Sequence, residues 1–201
     1  MSTLVRTKPK VSVKVQTLAT VGALAAAVAL PQVFHAVGAV SGLGTALGET
    51  FLPMHLPILL VGLTAGPAAG AISGVLAPLV SFALSGMPTA AMLPFMRIEL
   101  LCYGLFAGLM RTARIPSLGK VVLAQIGGRA VRAAAILIAF YGLGSTAIPV
   151  AIIWRSIATG LPALLLQWAL LPLLLYWIEP RSHQADASIP TCTEMPAVTS
   201  A

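Results

Sequence analysis

A glutamate and several cations sit inside otherwise apolar runs, and they are the residues here that could do chemistry. Glu99 stands in "RIELLCYGL" with Tyr103 four residues on, so a helix would set carboxylate and phenol on one face. Gln125, Arg129 and Arg132 share a second helical face in "AQIGGRAVRAA", and Arg155 follows in "IIWRSIA". Arg97 lies two residues before Glu99 and so points away from it. His55 stands in "FLPMHLPILL", between Pro53 and Pro57. A carboxylate accepts hydrogen bonds from an amine or hydroxyl, a guanidinium holds anions, and an imidazole donates or accepts. These are binding chemistries. The chain shows no HExxH, no phosphate-binding Gly-rich loop, no GxSxG and no carboxylate pair at workable spacing, so no enzyme is expected. Lone histidines and the distant Cys102 and Cys192 support neither a metal site nor a disulfide framework, and no cofactor is implied.

The elements that must position these residues are membrane helices. Hydrophobic residues make up 58% of the chain and charged residues 8%. A soluble domain carries about 25% charged residues, so this chain lacks the charge to cover a soluble surface. The apolar stretch from about 15 to 40 is longer than the core of a signal peptide and lacks a cleavage site, so it reads as a first transmembrane helix. The net charge of +7 is gathered beside apolar runs rather than along a basic stripe with aromatics, which argues against nucleic acid as a partner.

Hydropathy and punctuation divide the chain into an all-α bundle of six spans: Val13–Phe34, Phe51–Leu63, Pro67–Leu84, Ala90–Met110, Val121–Tyr141 and Ala147–Ile178. A basic segment, 1–12, precedes this transmembrane domain of residues 13–178, and a polar tail of disordered composition, 179–201, follows it. "GAVSGLGTALGE" (38–49) is too rich in glycine for a stable helix and reads as a loop. "TAGP", "SGMPT" and "GLGST" are turns or loops, and "RTARIPSLGK" is a basic loop. With the N-terminus cytoplasmic, one side holds Arg6, Lys8, Lys10, Lys14, Arg111, Arg114, Lys120 and Arg181, while the three opposite loops hold no Lys or Arg. That asymmetry supports six spans with both termini inside.

Glu99, Arg132 and Arg155 then fall roughly 12–14 Å from the outer ends of their spans at about 1.5 Å per residue, with Arg129 a turn deeper. A charge at the membrane centre costs about 2.5–3.5 kcal/mol on insertion scales, so these residues should face the bundle interior or a watery cavity. Two roles stay open. Glu99 pairs with Arg129 or Arg132 merely to pin helices, or the surplus positive charge meets a ligand. Ala19, Ala23 and Ala27 form a small-residue stripe on the first span, suited to packing within this bundle or to docking a partner subunit.

The segments "FLPMHLPILLVGLTAG", "SGVLAPLVSFALSGMPTAAMLPFMRIELLCYGLFAGLM", "GGRAV" and "TGLPALLLQWALLP", taken in order, resemble the substrate-binding S components of energy-coupling factor (ECF) vitamin transporters, over about residues 13–178. They look most like the branch proposed to carry hydroxymethylpyrimidine, pyridoxine-like compounds and pantothenate. The resemblance implies a cell-membrane protein of six helices that binds one vitamin or precursor near its outer face. A transmembrane coupling subunit and two ATPases would supply the energy, and the Ala19, Ala23, Ala27 stripe would meet the coupling subunit. It implies a pocket lined by Met54 and His55 from the second helix, Glu99 and Tyr103 from the fourth, Arg129 from the fifth and Gln167 from the sixth. Ser81 and Met87 would lie near a covering loop. Arg97 departs from the apolar residue usual before "IEL"; it either suits a carboxylate-bearing substrate or snorkels to the surface.

Two readings from other classes compete. A self-sufficient secondary transporter would be expected to show inverted repeats with matching broken helices, and no such repeat stands out. A structural membrane subunit would account for the alanine stripe but not for the charges at mid-depth.

Overall fold

The computed structural model describes residues 12–44 and 46–187. The basic head with Arg6, Lys8 and Lys10, the tail beyond 187, and the side chains of Glu49 and Arg181 lie outside the described residues. Among the described residues seven α-helices follow one another: α1 (Val13–Val40), α2 (Ala46–Phe51), α3 (His55–Ala65), α4 (Pro67–Ser85), α5 (Leu93–Leu109), α6 (Ser117–Leu137) and α7 (Ile152–Ala187). A 3-10 turn (Met110–Thr112) ends α5, and a π turn (Ile138–Gly142) ends α6. Among the described residues, five helical stretches are long and apolar enough to cross a membrane, and α3 is a shorter apolar helix.

Proline and glycine set the boundaries. Gly66 takes φ 111°, a conformation an L side chain resists, and Pro67 opens α4 just after it, where its missing N–H costs nothing. Gly86 closes α4 in the left-handed region, φ 71°, its N–H bonded to the Phe82 carbonyl. Pro94 lies in the first turn of α5. Before α3 the chain turns at Leu52, a non-glycine residue with φ 44°. Pro53 therefore stays outside the helix, and Pro57 occupies its first turn.

Several boundaries differ from the sequence expectation. α1 runs on through Val40 and Ala46–Phe51 is helical, so of the described residues only 41–44 stay non-helical within the expected Gly-rich loop. Contacts with neighbouring helices offset the poor intrinsic propensity of those glycines. α7 starts at Ile152 rather than at 147, and its backbone stays helical to Ala187, past the expected end at 178. The late start places Arg155 in the first turn of α7, where its side chain is exposed; it does not face the interior as expected.

The core gathers around α3, α4 and α5. α4 and α5 share the most extensive contact, and α5 also packs on α3 and α6. Glycines let the backbones touch: a Cβ on Gly70 would collide with the Gly104 backbone, one on Gly74 with the Leu100 carbonyl, and one on Gly108 with Pro67. α1 covers α3 and α4. Here the alanine stripe finds its place inside this same chain. Ala19 and Ala23 pack against Val61, Ala65 and Ala69, and Ala27 is fully buried in the main core. Small side chains let the chain's own α3 and α4 approach the stripe, and Ala19 and Ala23 remain partly exposed. α7 lies at the edge, against α2, α6 and more lightly α3.

Candidate functional site

Glu99 is the centre of a buried polar group where α5 meets α6. The residue is 1% exposed, and both of its carboxylate oxygens are engaged. The Tyr103 hydroxyl, one helical turn on, donates to Oε1 at 2.9 Å. Arg132 Nη1 donates to Oε2 at 2.8 Å, a charge-assisted bond across to α6. The second Arg132 terminal nitrogen reaches the Met92 sulfur, a weak acceptor, at 3.8 Å. Gly128 makes this approach possible: a Cβ there would collide with the Tyr103 ring, which fills the space against α6. The expected pairing of Glu99 is thus with Arg132.

His55 abuts this group from α3. Its ring lies 5.2 Å from that of Tyr103, centre to centre, and is tilted by 56°. Its Nδ1 lies 3.2 Å from the Leu52 carbonyl oxygen. A carbonyl only accepts, so Nδ1 carries the proton. The same carbonyl accepts the His55 backbone N–H at 3.1 Å and Gln167 Nε2 from α7 at 3.5 Å. The unusual turn at Leu52 thus ties the mouth of α3 to α7 through one oxygen. Below it, Gln125 Nε2 donates to Gln167 Oε1 at 2.7 Å, and Trp168 Nε1 donates to Gln125 Oε1 at 2.6 Å.

Arg129 stands apart. Among the described residues it meets no carboxylate, and its one hydrogen bond runs from Nη1 to the Ser156 carbonyl at 3.3 Å. Its Nε is buried without a partner, as is the Nε of Arg132. Both arginines line a cleft of about 160 Å³ between α6 and α7. Ile136, Ile153 and Ile157 form its apolar walls, Ala130 and Ala133 its small-residue side, and Ser156 closes the polar end. Gly160 admits the Arg129 guanidinium, since a Cβ there would lie 3.1 Å from Nη2 and 3.0 Å from the Leu52 side chain.

Of the residues expected at a site, the structure links Glu99 to Tyr103 by a hydrogen bond, Tyr103 to His55 by ring contact, and His55 to Gln167 through the Leu52 carbonyl. Arg129 lines the cleft beside Arg132. Met54 is buried as part of the hydrophobic core. Ser81 is buried within α4 and Met87 is half-buried in the loop after it; no hydrogen bond joins either side chain to the Glu99 group. Arg132, Gln125, Met92, Leu52, Ser156 and Trp168 are participants that sequence reasoning did not select for the site. Gln125 and Arg132 were signalled by sharing a helical face with Arg129. Leu52, Met92 and Ser156 carried no signal, because two of them act through backbone carbonyls and the third through a sulfur.

The described helices, apolar outside and joined within by the Glu99–Arg132 ion pair and a hydrogen bond between the Gln125 and Gln167 amides, define a multi-pass membrane protein with a polar cluster inside its bundle. The family model described as "ECF transporter, substrate-specific component" matches residues 16–175. The chain belongs to that family, whose members are transporter subunits rather than enzymes: they bind small substrates and associate with a coupling subunit and ATPases. Comparison with curated proteins and with solved structures found no match.

Proposed function

We propose that this chain is the substrate-binding membrane subunit of an ECF-type importer, and that its cargo is one small water-soluble vitamin or vitamin precursor. The observation that carries this reading is the cleft between α6 and α7, which places Arg129 and Ser156 beside the buried Glu99–Tyr103–Arg132 group. Ligand sites of this kind are mostly apolar with a few polar groups that fix orientation. The isoleucine walls give the first property and the arginines the second.

In this reading the six apolar helices, α1 and α3 to α7, all span the membrane with both termini cytoplasmic. The short α3 is matched to the bilayer by the turn at Leu52 and by α2 above it. The one-sided distribution of Lys and Arg supports that orientation. Arg129 contacts the ligand, and Glu99, with both oxygens engaged, positions Arg132 and Tyr103. His55 and Gln167 hold the Leu52 turn beside them. Met54, Ser81 and Met87 shape the surroundings rather than touch the cargo. A coupling subunit docks on the exposed flank of α1, which carries Leu18, Val21, Gly22 and Ala25 beside the partly exposed Ala19 and Ala23.

Co-expression with a coupling subunit and its ATPases tests the assignment. Capture of all three on this chain, with uptake of a vitamin that requires ATP, is the expected result. Uptake by this chain alone in liposomes would show instead a self-sufficient transporter.

A further inference from the structure

The cleft between α6 and α7 carries more positive charge than the described residues balance. Arg132 is neutralised by Glu99, while Arg129, on the same wall of the cleft, has no acidic partner among the described residues. The geometry of its guanidinium is specific. Nη1 is taken by the Ser156 carbonyl, whereas Nε is buried with no partner and Nη2 makes no hydrogen bond to a described residue. Nε–H and one Nη2–H lie parallel along the free edge, the fork that takes the two oxygens of a carboxylate. Gly160 leaves room beside that edge. A cleft of about 160 Å³ is well below the roughly 300–1,000 Å³ of sites for drug-sized ligands.

We propose that the site takes a small organic acid, with its carboxylate held side-on by Arg129 and its apolar part against Ile136, Ile153 and Ile157. This deepens, and rests on, the reading of the chain as a substrate-binding subunit. The bound acid balances the charge of the cleft: Arg129 and Arg132 then face two carboxylates, one from Glu99 and one from the cargo. Neutral and cationic cargoes leave the buried Arg129 Nε without a partner, so the site selects against them. A lipid phosphate offers similar charge, but Arg129 lies midway along the apolar stretch 117–142. That is about 18 Å from either end at 1.5 Å per residue, away from the headgroups.

The test uses the full chain in phosphatidylcholine nanodiscs, followed by the fluorescence of Trp154 and Trp168. Three matched pairs serve as probes: nicotinate and nicotinamide, pantothenate and pantothenol, biotin and biotinamide. One acid is expected to bind, and its neutral counterpart roughly 100-fold more weakly. Arg129→Gln is expected to weaken the acid roughly 100-fold and its neutral counterpart little, and Arg129→Lys, which keeps the charge but loses the fork, roughly tenfold. Should Arg129→Gln not fold, Ala133→Leu fills the cleft without altering a charge and is expected to abolish acid binding. Equal binding of an acid and its neutral partner, unchanged acid affinity in a folded Arg129→Gln, or no binding of any acid overturns the proposal. Quenching on adding phosphatidylglycerol that no acid displaces also overturns it, in favour of a lipid. Co-purification with the coupling subunit is measured on the same wild-type protein. If it persists while the acids fail, the ligand class is wrong and the transporter reading stands; if it is absent, the transporter reading itself fails.

Discussion

The two halves of the bundle are packed by different rules. Between α4 and α5 there is no space: Gly70 and Gly104 bring backbone against backbone, and a methyl group at either would collide. Between α6 and α7 there is a cleft with polar atoms left unpaired along it. In the first half, small residues are spent on closeness, which yields dispersion contacts in a setting where lipid is as apolar as any side chain. In the second half, Ala130, Ala133 and Gly160 are spent on room, and the room is next to charge. The same residue types thus make close backbone contact on one side and an open cleft on the other. The cargo site proposed above lies in the less tightly packed part of the protein, α6 and α7, the kind of region from which binding sites are drawn.

Enlarging a small residue should therefore have opposite consequences in the two halves. Gly104→Leu is expected to have the largest effect, since nothing near it but backbone can yield; the loss should exceed roughly 3 kcal/mol, and the protein should fail to elute as a single species. A folded Gly104→Leu with wild-type Tm would break the contrast. Next comes Glu99→Gln, which leaves Arg132 buried without its carboxylate at a cost of about 3–5 kcal/mol. The double variant Glu99→Gln, Arg132→Met should recover much of that in thermal unfolding, whereas no recovery would mean that Glu99 acts otherwise than through Arg132.

Gly128→Ala probes the boundary between the halves. Its methyl would displace the Tyr103 ring, with an expected loss of about 1–3 kcal/mol. Tyr103→Phe keeps the ring and removes only the hydroxyl bonded to Glu99, so its loss should be nearer 1 kcal/mol. If the two variants melt alike, the ring position does not matter and the hydroxyl does. Ala133→Leu should have the smallest effect on stability, within about 1 kcal/mol, because the cleft can accept the side chain. Its Tm should stay near that of the wild type while ligand-induced fluorescence change is lost; a large fall in Tm would show that the cleft is packed after all.

Much of this was legible in the chain. Apolar length and charge clustering marked the helices α1, α4, α5, α6 and α7 to within a few residues at most ends, because a membrane span is a local property of about 20 residues. The pairing of Glu99 with Tyr103 was legible for the same reason, through helical spacing. The choice of Arg132 over Arg129 was not. It depends on how α5 and α6 rotate against each other, which Gly128 and the Tyr103 ring decide together. The alanine stripe had two possible roles, and the structure packs part of it on α3 and α4.

What the sequence determined by itself is the solvent and the inventory: a chain with 8% charged residues belongs in a membrane, and its few buried charges must find partners there. Which partner each charge finds was left to the tertiary structure. The Glu99 carboxylate pairs with one arginine, and the turn at Leu52 gathers His55 and Gln167 onto one carbonyl. The other arginine is left facing a cleft. The reason is that helix formation is settled by neighbours in sequence, whereas charge pairing is settled across helices, by close contacts that no local pattern records.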